Sequence, residues 1–125
     1  MFHVKIKLSE SKIHGIGLFA NEDISKGKIV YSINEKLDLL LTEKNFLKLL
    51  DDEKCTIKHY GYFDKNRKIW HLSFDDIRFC NHSVNGNITI EDNKLIAVRD
   101  IRKNKEITQN YGEFEELRKL KHSPK

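Results

Sequence analysis

Arg78-Phe79-Cys80-Asn81-His82-Ser83 sets an asparagine and a histidine side by side just after an apolar pair, within a run from Ser73 to Asn87 that is otherwise polar. Amide and imidazole groups have fixed donor and acceptor patterns, and in a buried turn they need partners, either backbone or a ligand. A second polar cluster, Asn110-Tyr111-Gly112, follows later and offers a tyrosine hydroxyl. Near the start, Gly15-Ile16-Gly17 carries two glycines one residue apart, which permit positive φ or a close backbone approach to something bound. No third glycine, helix or βαβ unit follows, so this is not a dinucleotide fingerprint, and an ordinary turn is the plainer alternative. Each of the other residues also has a plain structural use. Asn81 could cap its own backbone, His82 could be a satisfied buried histidine, Tyr111 could pack its ring at a strand end, and Arg78 could serve as an ion-pair partner.

Metal chemistry is not favoured. Cys55 and Cys80 form no CxxC pair, which argues for reduced thiols and against a zinc cluster. His3, His14, His59, His71 and His122 show no ligand spacing and are read as surface or filler. Tyr31 and Trp70 are assigned to the core. Tyr60 and Tyr62 stand at strand spacing on one face, either as the wall of a site or as ordinary cross-strand packing.

A chain of 125 residues makes one domain with a single core. Its 23 basic and 19 acidic residues leave a net charge of +4, a mixed surface that is a weak reason to invoke nucleic acid. No run approaches the roughly 18 apolar residues of a membrane span, and the start lacks the apolar core of a signal peptide. An intracellular location follows as the expectation, cytoplasmic or nuclear, or within a host cell reached by a non-classical route.

Alternation predicts a strand from Phe2 to Leu8 and two more over Thr56 to Phe63 and Lys68 to Leu72, joined by the turn Asp64 to Arg67. A hairpin is expected from Asn87 to Glu91 and Lys94 to Arg99 across Asp92-Asn93. Thr42 to Leu50 reads as a helix capped by Thr42, Ser73 with Asp76 as a capping box for one helical turn, and Glu113 to Lys121 as a short C-terminal helix. One internal echo stands out. Ala97, Asp100, Ile101, Lys103, Asn104, Lys105 and Ile107 align with Ala20, Asp23, Ile24, Lys26, Gly27, Lys28 and Val30. Gly27 and Asn104 are the residue types that best tolerate left-handed backbone, so two similar turns are expected, feeding strands over Lys28 to Ile33 and Lys105 to Gln109. The class is mainly β with short helices; periodicity alone leaves a sandwich, a barrel or another small β architecture open.

The motifs narrow this. Gly15-Ile16-Gly17-Leu18-Phe19-Ala20, Tyr62-Phe63-Asp64, the RFxNHS stretch from Arg78 to Ser83, and Glu106-Ile107-Thr108-Gln109-Asn110-Tyr111-Gly112 resemble, in order and spacing, the SET domain of protein-lysine methyltransferases. The resemblance implies a single SET domain over residues 1–125, with a core of about 11–112 and a short helix and tail over 113–125. It implies a β-clip fold with pseudoknot-like C-terminal threading, and S-adenosylmethionine as cofactor. It assigns the cofactor to Gly15, Ile16, Gly17, Arg78, Phe79, Asn81 and His82, with His82 acting through its backbone. Tyr111 becomes the catalytic tyrosine, and Tyr60, Tyr62 and Phe114 the walls of a lysine channel. The partner implied is a protein or peptide carrying a lysine, a histone among the candidates; a homodimer is left open. The chemistry suits those groups. A lysine with a pKa of roughly 10.4 must lose its proton before it can attack, and a narrow apolar channel disfavours the ammonium. Aromatic walls hold its stem and tolerate its cationic form. Two departures bear on activity rather than fold: cysteine-rich flanks are absent, and Asn110 stands where the family often has Asp. A module that binds a partner without catalysis is the alternative. The acidic Glu113, Glu115 and Glu116 form either a solvated helix face or an attractor for a basic peptide.

Overall fold

The computed structural model describes residues 1–110. Its strands are β1 (Ile6–Glu10), β2 (Ile16–Ala20), β3 (Ile29–Ser32), β4 (Leu39–Thr42), β5 (Tyr62–Asp64), β6 (Ile69–Leu72), β7 (Asn81–His82), β8 (Ile88–Glu91), β9 (Lys94–Ala97) and β10 (Glu106–Gln109). Two helices, α1 (Glu43–Leu47) and α2 (Asp51–Tyr60), and a 3-10 turn, Asp76–Phe79, complete the described elements. The larger sheet runs β1-β2-β10-β8-β9-β3, with β7 also beside β10; a smaller one runs β4-β6-β5. Phe2 bridges to Tyr31 of β3, the far edge from β1, so the N-terminal segment reaches from one edge of the curled sheet to the other. The strand expected from Phe2 therefore begins at Ile6, because residues 2–5 are spent on that crossing.

The core draws Leu18 and Ala20 from β2, Val30 and Tyr31 from β3, Ile88 and Ile90 from β8, Leu95 and Ala97 from β9, and Ile107 from β10. Except at the adjacent Val30 and Tyr31, where the register of β3 on β9 shifts, these are the inward positions of short alternating strands. Asp92 and Asn93 both take positive φ, +49° and +63°, which gives the β8–β9 hairpin the primed turn its twist requires.

The internal echo is a pair of reciprocal turns. Ile24 and Ile101 exchange both backbone hydrogen bonds, at 2.7 and 2.8 Å. Gly27 N–H donates to Ala97 O as Asn104 N–H donates to Ala20 O, both at 2.8 Å. The Asp23 carboxylate accepts from Lys103 N–H and the Asp100 carboxylate from Lys26 N–H, again both at 2.8 Å. Gly27 and Asn104 are left-handed, at φ +86° and +74°. Each turn caps the other, so neither leaves a backbone group for water to satisfy at these positions.

The second reciprocal turn delivers β10 into the middle of the sheet, antiparallel to β2 and parallel to β7 and β8. The loop after β7 is laced across it. Ser83 N–H donates to Gln109 O and Asn87 N–H to Thr108 O. The Asn87 amide acts as a substitute peptide, donating to Glu106 O and accepting from Thr108 N–H, each at 2.9 Å. Gly86 is pressed so close that a Cβ would stand 2.6 Å from Gln109 Cα and 2.7 Å from Asn110 N. This lacing is the part of the threaded arrangement that falls on described residues; the expected helix from Glu113 lies outside them.

Three local expectations are corrected. Residues 56–60 belong to helix α2 rather than to a strand. The β-forming Thr56 and Ile57 are overridden by Asp51, Asp52 and Glu53 in the first turn, where the helix dipole favours acids, and by the Glu53 carboxylate accepting Leu50 N–H at 2.8 Å. The helix expected from Thr42 to Leu50 ends at Leu47; Thr42 does cap it, accepting from Asn45 N–H, but only Phe46 is buried, stacked on half-buried Trp70 of β6. The 3-10 turn is capped by Asp75 and not by Ser73.

Candidate active site

Two cavities adjoin at the end of α2 and the 3-10 turn. The wider is a cleft of about 550 Å³ lined by Ile13, His14, Gly15, Ile16, His59, Tyr60, Arg78, Phe79, Asn81 and His82. The narrower, of about 50 Å³, is lined by Tyr31, Ile33, Tyr60, Gly61, Tyr62, His71, Ser73, Ile77, Arg78, Leu95 and Gln109. Tyr60 and Arg78 line both. Tyr60 comes from the last turn of α2 and Tyr62 from β5, with Gly61 closing the helix between them, so their shared location owes nothing to strand spacing. Gly61 is needed at this corner, because a Cβ would meet His71 O at 2.7 Å.

Asn81 joins the separated motifs. Its amide nitrogen lies 3.1 Å from Ser11 Oγ, 3.0 Å from His14 O and 3.0 Å from Glu106 Oε2. Ser11 Oγ donates to the Glu106 carboxylate at 2.9 Å and accepts from Ile13 N–H and His14 N–H. A serine-centred turn thus shapes the loop that ends at Gly15, whose φ of +46° a side chain would disfavour. Gly17 does not line the cleft. The space of its absent side chain is taken by Glu106, whose Oε2 would lie 2.6 Å from a Cβ there. Asn81 therefore does not cap its own backbone. His82 is exposed, which removes the buried-histidine alternative. Arg78 makes no ion pair among the described residues; its guanidinium lies 5.2 Å from the centre of the Phe79 ring. Burial first, and then the Glu106 carboxylate, push the Cys80 thiol far above its ordinary pKa, and its S–H donates to Ile107 O. Tyr111 and Phe114 lie outside the described residues.

The sequence reading passed over two residues at this site. His71, expected at the surface or as filler, is 1% exposed and sits between Tyr62 and Asp38. The loop carrying Asp38 is tied down by Arg67, which bridges Glu35 and the turn residue Asp64; those bonds hold the guanidinium firmly charged. Nothing in local spacing marks the pair, because Asp38 and His71 meet only across the small sheet. Tyr31 is buried as expected, but its hydroxyl and Gln109 Oε1, both at the narrow cavity, are buried with no hydrogen-bond partner among the described residues. Burial, with Asp75 and Asp38 nearby, pushes the Tyr31 hydroxyl well above its usual pKa.

The cleft suits a ligand of the size of S-adenosylmethionine. Its volume lies in the usual range for small-molecule sites, about 300–1,000 Å³. Nothing stands within 4 Å of where a Gly15 side chain would be, and Tyr60 and Phe79, in edge contact at 5.4 Å, supply an aromatic wall. Among the described residues no cluster of three His, Cys, Asp or Glu is arranged to hold a metal ion, and no helix is long and apolar enough to cross a membrane.

Comparison with known proteins agrees with this geometry. A family model of the SET domain matches residues 15–112. A histone-lysine N-methyltransferase specific for H3 lysine-36, from Debaryomyces hansenii, is 31% identical over 126 aligned positions; the match covers 88% of this chain but 16% of the relative's length. The Chaetomium thermophilum Polycomb Repressive Complex 2 superposes at a TM-score of 0.69 with 25% identity, covering 94% of this chain and 17% of that one. The same complex in an autoinhibited conformation bound to S-adenosylmethionine superposes at 0.68 with 24% identity, over 89% of this chain and 15% of that one. Because the SET-domain model spans most of its length, the chain belongs to the SET-domain family.

Proposed function

We propose that the chain is an S-adenosylmethionine-dependent protein-lysine N-methyltransferase. The observation that carries this reading is that the wide cleft and the narrow cavity share Tyr60 and Arg78 as a common wall. A methyl donor and an acceptor amine must meet in line, and two cavities that adjoin at Tyr60 and Arg78 would bring their occupants side by side. When bound, S-adenosylmethionine supplies a methyl group on a sulfonium, already a good electrophile. The protein's part is to hold and align. Gly15, Ile16, Asn81 and the backbone of His82 would hold the cofactor, with Arg78 and Phe79 bordering it. Gly17 contributes indirectly, by admitting the Glu106 carboxylate that fixes Ser11 and Asn81. Tyr111 would orient the amine, while Tyr60, Tyr62 and Phe114 would wall the lysine channel. The relative's activity on histone H3 makes that histone the first acceptor to try.

The test is calorimetric titration of S-adenosylmethionine into the wild type and Asn81→Ala, followed by methyl transfer to recombinant histone H3 with Tyr111→Phe as the control. Micromolar binding lost in the first variant, and transfer lost in the second, support the proposal. A well-folded wild type that binds no cofactor overturns it in favour of a non-catalytic interaction module.

A further inference from the structure

The narrow cavity is lined by Tyr62 and His71, which with Asp38 behind them form a chain of three side chains for which alignment of donor and acceptor has no use. Tyr62 Oη lies 2.9 Å from His71 Nδ1, and His71 Nε2 lies 2.6 Å from Asp38 Oδ2. The Asp38 carboxylate is 1% exposed, and its other oxygen accepts Phe74 N–H at 3.1 Å. A carboxylate only accepts, so in the neutral imidazole Nε2 carries the hydrogen and Nδ1 keeps a lone pair toward the Tyr62 hydroxyl. The same cavity holds Tyr31 Oη and Gln109 Oε1, which have no hydrogen-bond partner among the described residues. Buried acceptors are costly unless something satisfies them, and an ammonium group brings three donors and no acceptor. The cavity is thus furnished to receive an amine, with a base in its wall.

We propose that Tyr62, His71 and Asp38 form a proton relay that deprotonates the substrate lysine before methyl transfer; this rests on the methyltransferase reading above. The ammonium gives a proton to Tyr62 Oη as Tyr62 gives its own to His71 Nδ1, and the amine nitrogen keeps the electron pair it needs to attack carbon. The resulting imidazolium is held between Tyr62 and the Asp38 carboxylate, and its proton returns to water after product leaves. In solution the transfer would be uphill, since lysine titrates at roughly 10.4 and histidine at roughly 6.5. The cavity narrows that gap from both sides. Confinement among Tyr31, Ile33, Tyr62 and Ile77 disfavours the ammonium, and Asp38 favours the imidazolium. Among the described residues, Tyr31 of β3, Tyr60 of α2 and Arg78 of the 3-10 turn line the same cavity as His71, and Asp38 and Asp75 act electrostatically on Tyr31 and on the Met1 amino group. Two carboxylates thus oppose the cations Arg78 and Met1. Tyr62 is the catalytic group in this scheme; His71 is the proton acceptor behind it, and Asp38 is a positioning residue.

The experiment is the pH profile of methyl transfer from S-adenosylmethionine to histone H3 by the full chain, wild type against His71→Gln and Asp38→Asn. For His71→Gln, kcat/KM at pH 7 should fall about a hundredfold, within the usual range for a lost general base. The deficit should shrink as pH rises toward roughly 10, where lysine deprotonates unaided, while the KM for S-adenosylmethionine stays put. A deficit of the same size at every pH would show a merely structural pair and overturn the relay. Should His71→Gln fail to fold, Tyr62→Phe tests the same profile. Nitrogen NMR of the wild type provides an independent arm: His71 protonated at Nε2 and bare at Nδ1 is expected, and the opposite tautomer overturns the relay whatever the activity. A wild type that transfers no methyl group removes the methyltransferase reading and the relay together; transfer with an unmoved acid limb removes the relay alone.

Discussion

The reciprocal turns at residues 20–28 and 97–105 and the wall of the narrow cavity are built on opposite terms. In the turns the backbone groups at the crossing are answered by their counterparts, and Asp23 and Asp100 exchange equivalent duties. In the cavity wall a histidine is buried against an aspartate behind it, and the Tyr31 hydroxyl and Gln109 Oε1 have no partner among the described residues. Satisfied polar groups hold a scaffold still, whereas unsatisfied ones are tolerated where a ligand can complete them. The turns make it possible for β10 to run through the centre of the sheet, and β10 in turn sets Glu106 against Ser11 and Asn81 and Gln109 against the cavity.

The comparison can be broken most severely at the strand that both regions share. Ile107 is fully buried, and Ile107→Ala should destabilise the domain by about 4 kcal/mol, within the usual range for such truncations, measured by urea unfolding. Gly86→Ala sets a methyl group against backbone that cannot move aside, and should cost about 3 kcal/mol in the same assay. A neutral result would show that the loop is not laced tightly over β10.

Alkaline pH probes the core behind the cleft. Cys80 titrates much higher in the folded protein than in the unfolded chain, so above about pH 8.5 the unfolded state holds fewer protons and stability must fall with rising pH. The slope should approach roughly 1.4 kcal/mol per pH unit, with Tyr31 adding to it above roughly pH 10. Cys80→Ala should flatten the part between about pH 8.5 and 10; an unchanged slope would place the ionisation elsewhere.

Asp23→Ala and Asp100→Ala each remove one equivalent charge-assisted bond, and each should cost about 1.5 kcal/mol. The equivalence is sharper than the magnitude: losses differing by more than about 1 kcal/mol would mean that the geometric reciprocity is not energetic. The smallest effect carries the opposite sign. Tyr31→Phe removes a buried hydroxyl that has no partner among the described residues, and should leave stability unchanged or raise it by up to about 1 kcal/mol. A clear loss would mean that the hydroxyl is paired in solution and that the cavity differs from the turns less than the geometry indicates.

Much of this was legible before any coordinates. Gly27 and Asn104 occur at matched places because a left-handed corner accepts few other residues, so the paired turns could be read from residue type. Asp92-Asn93 announced its hairpin in the same way, and the motifs around Gly15, Asn81 and Glu106 carried the family. What misled was local propensity without its neighbours: Thr56 and Ile57 favour strands, yet the acids that open α2 outweigh them. The contacts that make the site were beyond sequence for a different reason. Asn81 reaches Ser11, His14 and Glu106, and Asp38 reaches His71, only because the sheets bring distant segments to one place. Backbone conformation depends on a residue and its near neighbours, so sequence by itself determined the corners, the class and the family motifs. Which side chains share a cavity, and which buried polar atoms are left unanswered, depends on packing across long separations, and only the tertiary structure decided that.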